Sequence, residues 1–227
     1  MPVFQLSRDI IFPLPEHAEP DGLLAVGGDL SPARLLTAYS QGIFPWYSTG
    51  EPILWWSPAP RLVLYPDEFH LPRRLARTMR KNTFTVTADT AFREVIGSCA
   101  RVRTDCGEGT WITDDMQEAY CRLHELGFAH SIECWQEKRL VGGLYGVSLD
   151  RAFFGESMFT KVRDASKVAL ARLVEHAPLA DIGLIDCQMT TDHLLRFGAR
   201  ELSRNRFQEE LQKYVREIRP QKKWRLR

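Results

Sequence analysis

Three strand-like runs follow one another almost without interruption: HSIECWQ (130–136), RLVGGLYGVSL (139–149) and AFFGESMF (152–159), joined by short polar turns. Connections that short allow only antiparallel pairing, because a parallel return needs a crossover of about a dozen residues or more. A helical run with acids in its first turn, TDDMQEAYCRLHELG (113–127), precedes them and stops at Gly127. After them, DASKVALARLVEHA (164–177) reads as a helix capped by Asp164 and GLIDCQM (183–189) as a further strand. TTDHLLRFGA (190–199) then reads as a short helix and SRNRFQEELQKYVREI (203–218) as a terminal one. This order predicts an α+β or α/β domain with a mixed sheet flanked by helices. The basic tail RPQKKWRLR (219–227) is expected to be disordered.

The chain ahead of that domain is rich in Pro and Gly and reads as a small N-terminal domain, dividing the protein into residues 1–62 and 63–227. Its clear helix is SPARLLTAYSQG (31–42), with Ser31 as N-cap, Pro32 at the first helical position and Gly42 as the stop. GLLAVGGDL (22–30) lacks both GxGxxG and a closing Lys-Ser/Thr, so Gly27 and Gly28 are turn formers rather than a phosphate loop. In GIFPWYSTGEPILWWSP (42–58), Trp46, Trp55 and Trp56 crowd into a segment broken by Gly and Pro, although the chain has only 6 tryptophans. Such flat surface is either core or a platform for a ligand.

HLPRRLARTMRKN (70–82) puts Leu71, Leu75 and Met79 on one helical stripe. Arg73, Arg77, Arg80 and Lys81, with the adjoining Arg74, fall roughly opposite, with no acid among them. A solvated face normally mixes signs, whereas clustered Arg and Lys neutralise phosphates; an exposed helix and a nucleic-acid backbone contact are both open readings. Lys+Arg 30 against Asp+Glu 29 leaves a net charge of +1, so attraction to a polyanion must come from such local clustering.

Secretion and membrane spanning are not expected. The start MPVFQLSRDIIFPLPEH has no basic head before an apolar run, and no stretch approaches about 18 apolar residues. The 5 cysteines show no CxxC spacing, which points to a reducing cytosol and a cytoplasmic location. The histidines are scattered without ligand spacing, and no metal is expected.

Polar groups on apolar strands are the candidates for chemistry. FFGESMF and LIDCQ set Glu156, Asp186 and Gln188 on or beside such strands, where they are either paired structurally or functional. Strand alternation points Asp186 and Gln188 to one side and Cys187 to the other. Cys187 and His193 have no orienting third residue, so Cys187 reads as a buried, small apolar side chain rather than a nucleophile. GESMF begins like a GxSxG elbow, but Phe159 holds the second glycine's place.

The element order resembles acyltransferases of the GNAT type, which hold acetyl-coenzyme A on a Gly-rich loop ahead of a helix. Here that position reads TKVRDASK (160–167), without glycine, so a coenzyme A donor is disfavoured and no cofactor is expected.

GLLAVGGDLSPARLLTAYSQGIFPWYS, PILWWSPAPR, EGTWIT, AYCRLHELGFAHSIE, LVGGLYGV, GESMF, ASKVAL and LIDCQ, taken in order from about Gly22 to about Gly198, together resemble bacterial leucyl/phenylalanyl-tRNA–protein transferases. The resemblance implies a small N-terminal domain followed by a GNAT-like domain. It further implies transfer of leucine or phenylalanine, and less readily methionine, from aminoacyl-tRNA to the N-terminal Lys or Arg of acceptor proteins, marking them for N-end-rule degradation. An RNA ester as donor agrees with the missing glycine loop, and a monomer is expected. By the same resemblance Trp46 and Trp111 help bind the terminal adenosine and aminoacyl group. Phe153, Met158 and Ile185, with Leu144 and Leu173 nearby, form an apolar side-chain pocket. Asp186, Gln188 and Glu156 are implied at the active centre: Asp186 orients and deprotonates the acceptor ammonium, directly or through Gln188, while Glu156 positions polar groups beside it.

Overall fold

The computed structural model describes residues 3–105 and 110–226. Near the N-terminus, β1 (Phe4–Leu6), β2 (Leu23–Gly27), α1 (Pro32–Ser40), β3 (Phe44–Pro45) and β4 (Leu54–Trp56) form a small unit with sheet order β1-β2-β4-β3. Ser31 caps α1 by accepting the Arg34 N–H, and Pro32 supplies the preset φ of the first turn. The Arg34 side chain is fully buried and donates to the carbonyls of Ser7, Arg8 and Asp9, pinning the leading segment over the helix.

The larger unit follows as β5 (Arg61–Leu64), α2 (Arg73–Arg80), β6 (Thr85–Ala88), α3 (Phe92–Asp105), α4 (Asp114–Glu125), β7 (Ala129–Gln136), β8 (Arg139–Leu149) and β9 (Ala152–Thr160). It closes with α5 (Ala165–His176), β10 (Leu184–Gln188), α6 (Asp192–Leu195), β11 (Arg200–Leu202) and α7 (Arg204–Tyr214). Its seven strands run β11-β5-β10-β9-β8-β7-β6, with β7, β8 and β9 antiparallel as their short connections require. β10 enters parallel to β9 and antiparallel to β5, so the sheet is mixed.

Alternation along these strands divides the core in two. Tyr145 and Phe154 join α3, α4 and the N-terminal sheet on one face, while Leu144, Phe153 and Ile185 join α5 on the other. The predicted arrangement of a mixed sheet flanked by helices is what the chain adopts, with the small N-terminal unit packed into the first of these cores.

Several local expectations change. α3 and β6 carry no clear local signal, because FREVIGSCARVRTD mixes β-branched residues with Gly97 and Ser98, which lowers its helix propensity. Asp164 precedes α5 but sits at φ 69° and makes no side-chain cap; its carboxylate takes Lys167 Nζ at 3.0 Å. Leu71 lies ahead of α2 and is exposed, so Leu75 and Met79 alone anchor that helix.

Residues 219–226 of the tail are ordered, not disordered. After α7, the Arg216 N–H donates to Asp150 Oδ2 and the Gln221 N–H to the Gly127 carbonyl, and Trp224 is buried at 5% exposure. Gly127 both ends α4 at φ 81° and leaves room for this strap, since a Cβ there would collide with the Gln221 carbonyl. A buried tryptophan and these hydrogen bonds together dock the basic segment.

Candidate active site

Two β-bulges create the site. Tyr145 pairs with Ser157 and Gly146 with Gly155, so Glu156 is the extra residue of β9. Asp186 pairs with Val63 and Gln188 with Leu62, so Cys187 is the extra residue of β10. A bulge re-aims the side chains around it, and Gln188 also takes φ 61°. Strand alternation therefore fails here: Gln188 and Cys187 both line open space, while Asp186 turns inward and is fully buried.

Asp186 meets Arg61 in a bidentate pair, Nε to Oδ1 at 2.9 Å and Nη2 to Oδ2 at 2.7 Å. The guanidinium lies between the rings of Phe44 and Phe207, at 4.9 and 4.8 Å. Asp186 Oδ1 also accepts the Gln188 backbone N–H at 2.9 Å, fixing the turn that projects the Gln188 side chain. Gln188 Nε2 in turn donates to Glu156 Oε1 at 2.8 Å.

Glu156 is the acidic residue among those that line the cavities. Its Oε2 accepts the Tyr120 hydroxyl at 3.1 Å, and the Tyr120 and Tyr39 hydroxyls are hydrogen-bonded to each other, tying α1 and α4 to β9. Burial raises the Glu156 pKa to about 7, opposed by the hydroxyl and amide donors and reinforced by the nearby Asp186 charge. Burial, then the Glu156 charge, holds both tyrosine hydroxyls well above their ordinary range, so they stay donors.

Two cavities meet at this carboxylate. One, of about 260 Å³, is lined by Trp46 and Trp111 on one side and by Glu156, Gln188 and Met189 on the other. The second, of about 310 Å³, is mostly apolar and is lined by Leu144, Phe153, Met158, Leu170, Leu173 and Ile185. Gly155, Glu156, Cys187, Thr191 and Leu194 border both. Burial, then the Asp186 charge, pushes the Cys187 thiol well up, which disfavours a thiolate at the junction.

The tryptophans of the 42–58 stretch divide their roles. Trp55 is fully buried, donates its indole N–H to the Gly27 carbonyl at 2.8 Å and meets Phe12 edge-on at 4.9 Å. Trp56 donates to the Trp46 carbonyl at 2.7 Å and supports its ring at 5.6 Å. Trp46, 41% exposed, is left to face the cavity.

Arg73, Arg74, Arg77, Arg80 and Lys81 are all exposed, and none forms an ion pair with an acid among the described residues. Arg74 also lines a cleft of about 270 Å³ with Arg163, Lys167 and Arg196, which shares His193 with the apolar cavity. Burial, then Lys167 and Arg196, lowers the His193 pKa. Those three cations were not legible in the sequence because α5, α6 and α2 meet only in the fold. Arg61 and Tyr120 were missed likewise; the only hint for Arg61 was its place at the end of PILWWSPAPR.

Residues 63–212 match the family described as leucyl/phenylalanyl-tRNA protein transferase, and residues 28–59 match its N-terminal domain. The chain is 57% identical over 226 residues to a leucyl/phenylalanyl-tRNA–protein transferase of Desulfotalea psychrophila, covering 100% of both chains. It is 60% identical to one of Desulfatibacillum aliphaticivorans, over 91% of this chain and 89% of that one. Among solved structures it is similar to a GCN5-related N-acetyltransferase from Kribbella flavida, with TM-score 0.40 and 11% identity over 76% of this chain and 61% of that one. Matches that together span most of the chain, and relatives this similar along its length, establish that it belongs to the leucyl/phenylalanyl-tRNA protein transferase family and is an aminoacyltransferase acting on proteins.

Proposed function

We propose that the protein transfers leucine or phenylalanine, with methionine used less well, from aminoacyl-tRNA to the N-terminal Lys or Arg of acceptor proteins, marking them for N-end-rule degradation. The observation that carries this reading is the meeting of an aromatic cavity and an apolar one at Glu156 and Gln188. The terminal adenosine lies against Trp46 and Trp111, where base stacking contributes about 1–3 kcal/mol. The amino-acid side chain fills the apolar cavity, which leaves the ester carbonyl at the junction. The exposed cations of α2 follow the tRNA backbone.

The acceptor amine, with a pKa of about 7.7–8.0, is partly free at neutral pH, and an ester is an activated donor. Its nitrogen attacks the ester carbonyl, the C–N bond forms, and the bond to the ribose oxygen breaks as that oxygen takes a proton. Holding the two reactants together provides much of the rate. Glu156, raised to about 7, is matched to accept the ammonium proton. Of the two routes for Asp186, its burial against Arg61 favours the one through Gln188: Asp186 positions that residue rather than touching the amine.

The test is transfer of labelled leucine from charged tRNA to peptides beginning with Arg or Lys, beside the same peptides offered an acyl-coenzyme A. Transfer from the tRNA alone supports the reading. Transfer from the thioester alone would replace it with a coenzyme A-dependent acyltransferase.

A further inference from the structure

The C-terminal strap ends against the back of the apolar cavity. The Trp224 ring stacks on His130, with centroids 4.1 Å apart and planes 3° from parallel, and lies 5.7 Å from the Phe153 ring. Its backbone N–H donates to Asp89 Oδ2 at 2.6 Å and its indole N–H to Gln221 Oε1 at 2.9 Å. Gln221 is itself held by the Gly127 carbonyl at 2.7 Å. Polar bonds to residues outside the cavity thus fix the indole in place.

Phe153 stands between this indole and the cavity it lines. Gly146 bounds it as well, since a Cβ there would collide with the Phe153 ring. The ring is therefore bounded by the β8 backbone at one edge and by the tail tryptophan behind, while its remaining side faces the cavity.

We propose that Trp224 is a specificity-determining positioning residue, which by backing Phe153 sets the depth of the amino-acid pocket and hence the relative use of leucine and phenylalanine. This rests on the proposed function only in taking the apolar cavity as the amino-acid pocket. Truncating Trp224 leaves a void into which its surroundings collapse incompletely, and Phe153 is the cavity-lining side chain in contact with it. As Phe153 recedes the pocket deepens, so the larger phenylalanine side chain gains while leucine fills its space less well.

Full-length W224A and W224F are compared with the wild type for kcat/KM on leucyl- and phenylalanyl-tRNA with one acceptor peptide, together with tRNA Kd and the thermal midpoint. The phenylalanine-to-leucine ratio is expected to rise about tenfold in W224A, the lower end of what one methylene discriminates in an apolar pocket. A smaller rise is expected in W224F, with tRNA Kd unchanged in both. W224F keeps a ring and carries the test alone if W224A is not recovered folded. A folded variant that loses activity on both substrates by the same factor overturns the proposal. A wild type that transfers neither amino acid overturns the proposed function instead, so the two failures are distinguishable.

Discussion

Gln188 donates its side-chain amide to Glu156 across 2.8 Å, so the bulged strands β9 and β10 are joined by a side-chain hydrogen bond at the junction of the two cavities. The bond holds Glu156, whose pKa burial raises to about 7, beside the cavity in which the proposed function places the two reactants. Activity should therefore depend on the protonation of Glu156 and on the anchoring of Gln188.

E156Q keeps the shape of the site and removes its titratable group. The wild-type kcat/KM is expected to rise with pH through about 7 as Glu156 loses its proton, and again as the acceptor amine is freed near about 7.7–8.0. E156Q should lose the first limb and about a hundredfold in rate, with tRNA binding retained. Because the folded pKa is raised, burial favours the protonated form: the contribution of Glu156 to stability is fully present below about 4.5 and is lost as pH rises through about 7. Thermal melts of E156Q should lack this loss, and parallel pH–stability curves for the two proteins would contradict the assignment.

R61M and D186L each leave one buried charge without its partner, which costs about 3–5 kcal/mol by denaturant unfolding. The double variant should recover much of that stability, since a buried pair is often replaceable by apolar side chains. It should not recover activity, because the Gln188 N–H has then lost its acceptor. Full turnover by the stable double variant would show that Gln188 needs no such anchor.

Trp46 and Trp55 should answer differently to alanine. W46A is expected to bind aminoacyl-tRNA more weakly by about 1–3 kcal/mol at little cost in stability, because its ring faces the cavity. W55A should unfold more easily by about 3–5 kcal/mol, because its ring is core. Equal effects on binding and stability in the two variants would contradict this division.

Reversing two charges among Arg73, Arg74, Arg77, Arg80 and Lys81 should weaken binding of tRNAs of different sequence alike. The slope of log K against log salt should become shallower by about one to two, since phosphate contacts carry no base readout. An unchanged slope would return α2 to an ordinary solvated helix.

M158W narrows the apolar cavity from β9 and should exclude phenylalanine before it disturbs tRNA binding. In the wild type, isoleucine and valine should transfer poorly, by about 1–3 kcal/mol per misplaced methylene. Equal transfer of isoleucine and leucine from matched charged tRNAs would show that this cavity is not the selector.

The element types were legible in the sequence wherever local chemistry decides them. The Ser31-Pro32 start of α1, the acidic first turn and Gly127 stop of α4, and the three runs of β7, β8 and β9 each carry their own signal within a few residues. The family motifs likewise named Trp46, Trp111, Glu156 and Gln188 without any structure. What local chemistry cannot carry is the meeting of distant segments. Two one-residue bulges turned Asp186 onto Arg61, 125 residues away in sequence, and turned Gln188 onto Glu156 instead. Alternation assumes unbroken pairing, and pairing is decided by the neighbouring strand. The tail gives the plainest case: its composition is that of a disordered segment, but Trp224 packs on His130 beside Phe153 and bonds to Asp89. A single aromatic residue gains from burial only where the rest of the fold has built the surface that receives it, and that surface exists only once the sheet is formed.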